Sequence, residues 1–237
     1  MLRVLLSLPV AVAFTVALGL PSIAAGLVDH GGRFARRAAG AWGRLLLVTW
    51  GVRVVVAGRE NVPAGPAVYA ANHASVLDIP ILFGYLPVDF RIIHKRSLYY
   101  IPLVGQYLYL GRHIGIDRGR AFEARRSLAR AAERIRRGTS VAVFPEGTRS
   151  RDGAVRAFKR GTFVLAVSAG VPVVPVSLAG VKRLVPRGLL RLRPGTVQLI
   201  IHPAVSTAGR DARDAAVLAD RVRRAVADGC AQEAGAA

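Results

Sequence analysis

From residue 52 onward, short apolar runs alternate with longer amphipathic stretches, and this alternation constrains the fold more than any other feature. The runs with the length and apolarity of β-strands are residues 52–57, 67–71, 90–94, 113–117, 140–144, 171–178 and 196–201. Apolar side chains recur at helical spacing in residues 121–137, 160–169 and 210–227. Strands that alternate with helices predict an α/β domain with a mixed, largely parallel central sheet flanked by helices.

Composition divides the chain into three parts. Residues 1–50 predict a membrane-anchoring segment made of an apolar helix and an interfacial helix. Residues 51–230 predict the α/β domain, and residues 231–237 predict a flexible tail. With 237 residues and 52% hydrophobic composition, the chain has ample material for one buried core.

The first part of the chain is apolar enough for a membrane. Residues 4–28 contain no charged side chain, and a helix of about 20 mostly apolar residues can cross a bilayer. Three interpretations stay open: a transmembrane helix, an inserted hairpin bent near Pro21 and Ser22, and a signal peptide cleaved near residues 24–26. Because Arg3 alone makes a thin positive region for a signal peptide, we favour retention in the membrane.

Residues 33–50 predict a helix that lies at a membrane surface. Arginines 33, 36, 37 and 44 fall near one face, and an apolar stripe is formed by Phe34, Ala38, Ala41, Leu45 and Val48. Arginines directly after an apolar segment place this side in the cytoplasm by the positive-inside bias, at the inner face of the cell membrane. The alternative is a helix with a solvated face that packs on the protein's own core.

The charge of the chain predicts anionic partners. Lys and Arg number 34 against 14 Asp and Glu, a formal net charge of +20, so an acidic lipid surface, phosphorylated substrates and nucleic acid are all candidates. Aromatic residues are only 7% and no recognition signature is present, so nucleic acid is not expected. A single cysteine, Cys230, excludes an internal disulfide and a cysteine-based zinc cluster, and no metal site is predicted.

His73 and Asp78 are the candidate catalytic pair. They follow the strand-like run 67–71 and precede an apolar helical run. Histidine accepts a proton near neutral pH, and a carboxylate on its second nitrogen fixes the tautomer and stabilises the imidazolium. On one regular helix the two residues would point about 140° apart, so contact requires His73 in the turn and a helix that starts near Ser75.

Asp78 also has a structural interpretation, because Ser75 and Asp78 match a capping box. In that interpretation Asp78 only closes the helix N-terminus. A third interpretation combines the two: Asp78 caps the helix through one carboxylate oxygen and orients His73 with the other.

Residues 144–150 read F-P-E-G-T-R-S, a strand end that runs into a turn. Arg149 can hold a phosphate with two parallel hydrogen bonds, and Gly147 allows a close approach of the backbone. The alternative is a surface turn with a local ion pair between Glu146 and Arg149. Weaker candidates for anion binding are Arg118 and Lys159, the second of which precedes the amino end of a helix.

Together these segments resemble the glycerolipid acyltransferases related to bacterial 1-acylglycerol-3-phosphate acyltransferase. Asn72, His73 and Asp78 are similar to the N-H-x-x-x-x-D motif of that family. Residues 115–118 are similar to its second block, and residues 144–150 match its F-P-E-G-T-R-S block. Residues 171–176 are similar to its fourth, proline-containing block. The resemblance covers residues 50–205 with the four blocks in family order.

The resemblance implies an O-acyltransferase. A fatty acyl group would pass from acyl-CoA or acyl-carrier protein to the free hydroxyl of 1-acyl-glycerol-3-phosphate, giving phosphatidic acid without a covalent enzyme intermediate. His73 would be the general base and Asp78 its orienting partner. The residues implied in acceptor binding are Arg118, Glu146, Gly147, Thr148, Arg149 and Lys159.

The same resemblance implies no cofactor beyond the acyl donor, and its partners would be an anionic membrane surface and the lysophospholipid acceptor. Two alternatives stay open. One is an acyltransferase for another lyso-acceptor, such as a lyso-ornithine lipid or a glycolipid. The more remote one is a non-catalytic basic protein that binds membranes or nucleic acid.

Overall fold

The structure is a computed structural model that describes residues 2–25, 29, 32–117, 121–186 and 192–235. Within these residues the strands are β1 Val52–Ala57, β2 Val68–Ala71, β3 Phe90–Lys95, β4 Ile114–Ile116, β5 Ser140–Val143, β6 Val173–Ala179 and β7 Gly195–Ile201. The helices are α1 Leu2–Ala25, α2 Arg33–Thr49, α3 Asp78–Tyr85, α4 Val104–Leu110, α5 Ala121–Arg136, α6 Arg160–Ala169, α7 Val181–Leu184 and α8 Ala215–Gly235. Each predicted strand is therefore present within a few residues of its predicted position.

The strands form one sheet in the order β1-β7-β6-β2-β5-β3-β4. Only β6 and β7 pair antiparallel, and every other neighbouring pair is parallel. The predicted α/β fold with a mixed, largely parallel sheet is confirmed. The register of the central pair sets Val68 of β2 opposite Val141 of β5, and Ala70 opposite Val143. The segments that follow β2 and β5 therefore leave the sheet side by side.

Side chains of the central strand alternate between two cores. Tyr69 packs with α2 and α3 on one face, whereas Val68 packs with α5, α6 and α8 on the other. The neighbouring strands β2 and β5 thus lead into helices on opposite faces, α3 and α6. A crevice opens at the carboxyl ends of parallel strands where successive connections diverge in this way, and ligands bind there in open α/β sheets.

Helix α2 is fixed to α3 by a close approach of the two backbones. A Cβ at Gly43 would clash with the carbonyl oxygen of Pro80, so a residue without a side chain is needed there. Beside it, Arg44 Nε donates to the carbonyl oxygen of Gly84 at 2.8 Å. Helix α1 packs on the other side of α2, where Trp42 Nε1 donates to Thr15 Oγ1 at 3.0 Å.

Helix α2 carries two apolar faces. The face against the protein buries Ala35, Ala38, Ala39, Leu46 and Leu47. Of the predicted apolar stripe, Ala38 alone is buried; the remainder of the stripe is exposed and consists of Phe34, Ala41, Leu45 and Val48. The packing of α2 on the protein's core, which the sequence analysis sets as the alternative, therefore leaves most of the stripe uncovered.

Helix α1 continues through Pro21 and Ser22 and ends at Ala25, so the chain does not reverse its direction at Pro21 and Ser22 as the hairpin interpretation requires. Among the described residues, no helix combines the length and apolarity of a membrane span.

Helix α8 extends beyond the predicted end of the domain. It continues to Gly235, so residues 231–235, which the sequence analysis assigns to a flexible tail, prolong the helix. Alanine, glutamine and glutamate dominate this segment, and all three have high helix propensity.

Candidate active site

His73 and Asp78 are in direct contact at the carboxyl edge of the sheet. His73 follows β2 in the turn, and its Nδ1 lies 2.7 Å from Oδ2 of Asp78. The carboxylate can only accept hydrogen bonds, so Nδ1 carries the proton of the neutral ring and Nε2 keeps its lone pair. The ring of His73 also stacks on Phe144, with centroids 4.0 Å apart and planes 15° apart. These two contacts fix the ring and direct its chemistry to Nε2.

Asp78 is fully buried at the first turn of α3, with 0% of the residue exposed. Its Oδ2 accepts from the backbone N–H groups of Ala74 at 2.8 Å and Ser75 at 2.9 Å, as well as from His73. The same oxygen therefore holds the backbone that precedes α3 and orients the histidine, whereas the N-terminus of α3 has no side-chain cap among the described residues. The prediction that one oxygen of Asp78 caps the helix and the other orients His73 is wrong, because Oδ1 has no hydrogen bond among the described residues. The helix begins at Asp78, three residues later than expected, since residues 75–77 form the turn.

The turn at residues 144–150 holds the backbone of His73 from both sides. Glu146 Oε1 accepts from the His73 N–H at 2.9 Å, and the N–H of Ser150 donates to the His73 carbonyl oxygen at 2.8 Å. Gly147 closes the turn with a φ of +78° and donates to the carbonyl of Phe144 at 3.0 Å. The two segments that sequence analysis selects separately thus form one structural unit.

Glu146 is a buried carboxylate, with 5% of the residue exposed. Burial raises the pKa of its carboxyl above the usual value, and the charge of Asp78 acts in the same direction. The backbone N–H groups of His73 and Arg156 and the ring of His73 oppose this rise. The local ion pair between Glu146 and Arg149 is not found in the described part of the chain, since Glu146 faces His73.

Asn72 ties the turn to the next strand of the sheet. Its Oδ1 accepts from the N–H of Leu178 at 2.8 Å, and its Nδ2 donates to the carbonyl oxygen of Leu178 at 3.1 Å. The amide side chain thereby continues the pairing of β2 with β6 beyond the end of β2. His73 is consequently held by β6 through its neighbour and by residues 144–150 through its own backbone.

An apolar cavity of about 570 Å³ opens beside His73. It lies between the N-terminal helices and the sheet edge, and its apolar side chains include Val16, Leu20, Ile23, Trp42, Ile79, Phe83, Ile92, Val104 and Leu108. Pockets of this size with a few polar groups at one place are typical of sites for small organic ligands. The lining suits an apolar ligand, and His73 is among its polar residues.

Two cations also line this apolar cavity. Arg149 comes from the turn at residues 144–150, and Lys95 ends β3. Both side chains are exposed and have no carboxylate partner in the ranges that the structure describes. Lys95 is not among the residues that the sequence analysis selects. Its signal is the position at the end of a strand that parallels β5, at the same sheet edge as His73.

The remaining predicted residues differ in their placement. Gly147 lines the apolar cavity, whereas Thr148 is exposed beside it. Lys159 is the exposed N-cap of α6, outside the lining, and its N–H donates to the carbonyl of Pro145 at 3.0 Å. Arg118 lies outside the described residues. The predicted contacts of Thr148, Lys159 and Arg118 with an acceptor stay predictions.

Fold and site define an α/β domain with a histidine–aspartate pair at the carboxyl edge of its sheet and an apolar cavity beside that pair. A family model described as Acyltransferase matches residues 53–179, which include both residues of the pair. The chain belongs to this acyltransferase family.

Known relatives extend the match beyond those residues. The chain is 40% identical over 178 residues to a 1-acyl-sn-glycerol-3-phosphate acyltransferase of Chlamydomonas reinhardtii, an overlap that is 74% of this chain and 52% of the relative. It is 34% identical over 189 residues to the protein of that name from Pseudomonas aeruginosa, over 79% of this chain and 73% of the relative. The chain therefore spans about half the length of some relatives and most of others.

A solved structure is similar over nearly the whole chain. It is the crystal structure of the 1-acyl-sn-glycerophosphate (LPA) acyltransferase PlsC from Thermotoga maritima, with a TM-score of 0.79 and 30% identity. The superposition covers 97% of each chain. The similarity thus includes the N-terminal helices as well as the sheet.

Proposed function

We propose that this chain transfers a fatty acyl group from an acyl-CoA or acyl-carrier-protein thioester to the free hydroxyl of 1-acyl-glycerol-3-phosphate, giving phosphatidic acid. The observation that carries the proposal is the contact of His73 Nδ1 with Asp78 at 2.7 Å, at the mouth of an apolar cavity. Membership of the acyltransferase family and the names of its relatives support the same reaction.

The proposed mechanism uses His73 as a general base. Nε2 takes the proton of the acceptor hydroxyl while that oxygen attacks the thioester carbonyl. The tetrahedral intermediate then collapses, the carbon–sulfur bond breaks, and the imidazolium returns the proton to the leaving thiolate. Asp78 keeps the ring in the tautomer that leaves Nε2 unprotonated and stabilises the imidazolium, without itself taking the proton. A positioned base of this kind contributes about 10² to 10⁴ in rate.

Arg149 and Lys95 support a phosphate-bearing acceptor. Both line the cavity that contains His73 and both lack a carboxylate partner among the described residues. A guanidinium can bind two phosphate oxygens at once, and a lysine adds a second positive charge. With the phosphate held there, the acceptor hydroxyl lies near His73 and its acyl chain enters the apolar cavity.

The N-terminal helices support membrane association. The stripe of Phe34, Ala41, Leu45 and Val48 is exposed next to arginines of α2, and the chain carries a net charge of +20. An exposed apolar stripe with flanking arginines binds at the interface of anionic lipids. We propose that α1 and α2 attach the domain to the cytoplasmic face of the cell membrane, where a lysophospholipid acceptor resides.

The test is an acceptor panel with one radiolabelled acyl-CoA, repeated with acyl-carrier protein as donor. Lysophosphatidic acid, a lyso-ornithine lipid, a lyso-glycolipid and lysophosphatidylcholine are offered to purified protein in vesicles. We expect labelled phosphatidic acid to form much faster than any other product, because only that acceptor presents a phosphate monoester to Arg149. Faster labelling of the lyso-ornithine lipid or glycolipid would replace the acceptor, and no labelling with either donor would refute the activity.

A further inference from the structure

A second cavity lies on the other side of α2, and it is lined by arginines. Its volume is about 680 Å³, and Arg36, Arg37, Arg44, Arg59 and Arg91 all contribute to its wall. We refer to it as the arginine cavity. Phe83 and Tyr107 line both this cavity and the apolar cavity, so they form the wall between the two.

The positive charge of the arginine cavity is only partly neutralised. Asp89 is the carboxylate that lines it, and its Oδ1 lies 3.2 Å from Arg36 Nε and 2.5 Å from Arg91 Nη1. Arg37 and Arg59 have no carboxylate partner in the described part of the chain. Five arginines and one carboxylate thus line the same concave space, an arrangement that favours a bound anion.

Burial distinguishes this cavity from an ordinary basic surface. Arg91 is buried, with 8% of the residue exposed, and Arg36 is half-buried, whereas Arg37 and Arg59 are exposed at the rim. His113 in the wall adds no charge: burial lowers its pKa to about 3, and the charge of Arg91 acts in the same direction. Guanidinium groups that lie in a concave wall suit a small anionic group better than the surface of a folded partner protein.

The exposed stripe of α2 indicates where such an anion comes from. With a repeat of 3.6 residues per turn, Phe34, Ala41, Leu45 and Val48 fall on one side of α2, and Arg37 lies between that stripe and the arginine cavity. A phosphate that enters the cavity from the side of the stripe would thus have apolar side chains beside it. This is the arrangement that a phospholipid requires, with its headgroup in the cavity and its acyl chains along α2.

We propose that the arginine cavity binds the phosphate headgroup of an anionic phospholipid that is neither the acyl acceptor nor the product at His73. The phosphate oxygens pair with the guanidinium groups, which bind such oxygens two at a time. This inference rests on the membrane association proposed above and deepens it, but headgroup binding is measured without acyl transfer. A failure of one proposal is therefore distinguishable from a failure of the other.

The test compares two variants that each remove two positive charges. Arg37→Gln/Arg59→Gln removes exposed guanidinium groups from the rim of the arginine cavity. The matched control is Arg125→Gln/Arg126→Gln, which changes exposed arginines of α5, on the opposite face of the sheet and outside both cavities. Because all four side chains are exposed, both variants are expected to fold.

Each protein, in neutral detergent, is titrated calorimetrically with dihexanoyl phosphatidylglycerol below its micelle concentration, with dihexanoyl phosphatidylcholine and with inorganic phosphate. We expect saturable binding of one phosphatidylglycerol by the unchanged protein and the control. In Arg37→Gln/Arg59→Gln the affinity should fall about thirtyfold, since each arginine near an anionic lipid contributes about 1 kcal/mol. Phosphatidylcholine and inorganic phosphate should bind much more weakly.

The other outcomes would overturn the assignment. Equal losses of phosphatidylglycerol affinity in the two double variants would show that the net charge of the protein, and not the arginine cavity, determines binding. Equal affinity for inorganic phosphate would make the site one for free phosphate, and an unchanged affinity for phosphatidylglycerol in Arg37→Gln/Arg59→Gln would show that the arginine cavity does not bind the lipid. Binding that is lost in Arg149→Gln instead would move the lipid to the apolar cavity, whereas binding that persists in Arg149→Gln supports two separate sites.

Discussion

Histidines line both of the cavities that meet at Phe83 and Tyr107: His73 and His94 line the apolar cavity, His113 lines the arginine cavity, and His73 and His113 are in opposite surroundings. His73 is half-buried and donates from Nδ1 to a buried carboxylate. His113 is buried, the charge of Arg91 lowers its pKa further, and its Nδ1 accepts from the N–H of Ile92 at 2.9 Å. An adjacent carboxylate suits a ring that takes up a proton, whereas burial beside a guanidinium keeps a ring neutral. The same residue type thus has surroundings that suit the proposed chemical role on one side of the wall and a structural role on the other.

The largest expected effect tests the chemical role of His73. His73→Ala should lower acyl transfer by about 10² to 10⁴, because the acceptor hydroxyl loses its base. The fold should persist, since Asp78 keeps its two backbone donors and residues 144–150 still hold the backbone at position 73. Initial rates with saturating donor and acceptor measure the loss, and the unfolding temperature and binding to anionic vesicles are the controls. If His73→Ala turned over nearly as fast as the unchanged protein, His73 would not be the base, and it would have no chemical role that His113 lacks.

The next effect tests whether the cations of the apolar cavity act on the acceptor. Arg149→Gln should raise the KM for lysophosphatidic acid by about 10-fold to 100-fold, since hydrogen bonds to charged groups contribute about 1.5–3 kcal/mol. Arg151→Gln is the matched control, because Arg151 is an exposed arginine two residues on that does not line the cavity. A similar rise in both variants would attribute the effect to surface charge instead of a phosphate contact.

Much of this arrangement is readable from sequence, because it depends on local pattern. The apolar runs identify each strand, and residues 160–169 match helix α6 at both ends. The His73–Asp78 contact follows from placing the histidine in the turn before a helix. The common feature of these predictions is that each depends on residues that lie close together in the chain.

The features that the sequence does not predict depend on contacts between segments that are distant in the chain. Glu146 is 73 residues from the backbone N–H that it accepts from, and no local pattern signals that contact. The antiparallel pairing of β6 with β7 likewise has no local signature. The arginine cavity combines side chains of α2 with Arg59 and Arg91, so its residues appear in sequence only as part of a high overall charge.

A smaller effect tests the structural role of His113 through the pH dependence of stability. Its folded pKa is lowered to about 3, so the stability it contributes is complete above the ordinary value of 6.5 and is lost as the pH falls toward 3. Within that window each pH unit lowers the free energy of unfolding by about 1.4 kcal/mol for one proton bound only by the unfolded chain. His113→Gln should therefore show a shallower decline between pH 6.5 and 5 in urea unfolding.

Burial also lowers the pKa values of His94 and His202. The unchanged protein and His113→Gln both retain these two residues, so the difference between their slopes of stability against pH isolates His113. Identical slopes would mean that His113 takes up its proton equally in the folded and unfolded chains. Burial and the charge of Arg91 would then not keep His113 neutral, and the proposed contrast with His73 would be lost.

The smallest effect concerns Glu146, the carboxylate that holds His73 in place. Burial raises the pKa of Glu146, so its ionised form opposes folding at neutral pH, and this opposition is relieved as the pH falls through the raised pKa toward 4.5. Glu146→Gln removes the charge but keeps an oxygen that accepts from the His73 N–H. It should raise the unfolding temperature slightly at pH 7, and the gain should vanish in acid.

Glu146→Leu leaves that N–H without its acceptor and should lower the unfolding temperature at both pH values. A lower unfolding temperature for Glu146→Gln at pH 7 would show that the negative charge itself stabilises the turn around His73. The charge of Glu146, and not only its hydrogen bond, would then be part of what distinguishes the surroundings of His73 from those of His113.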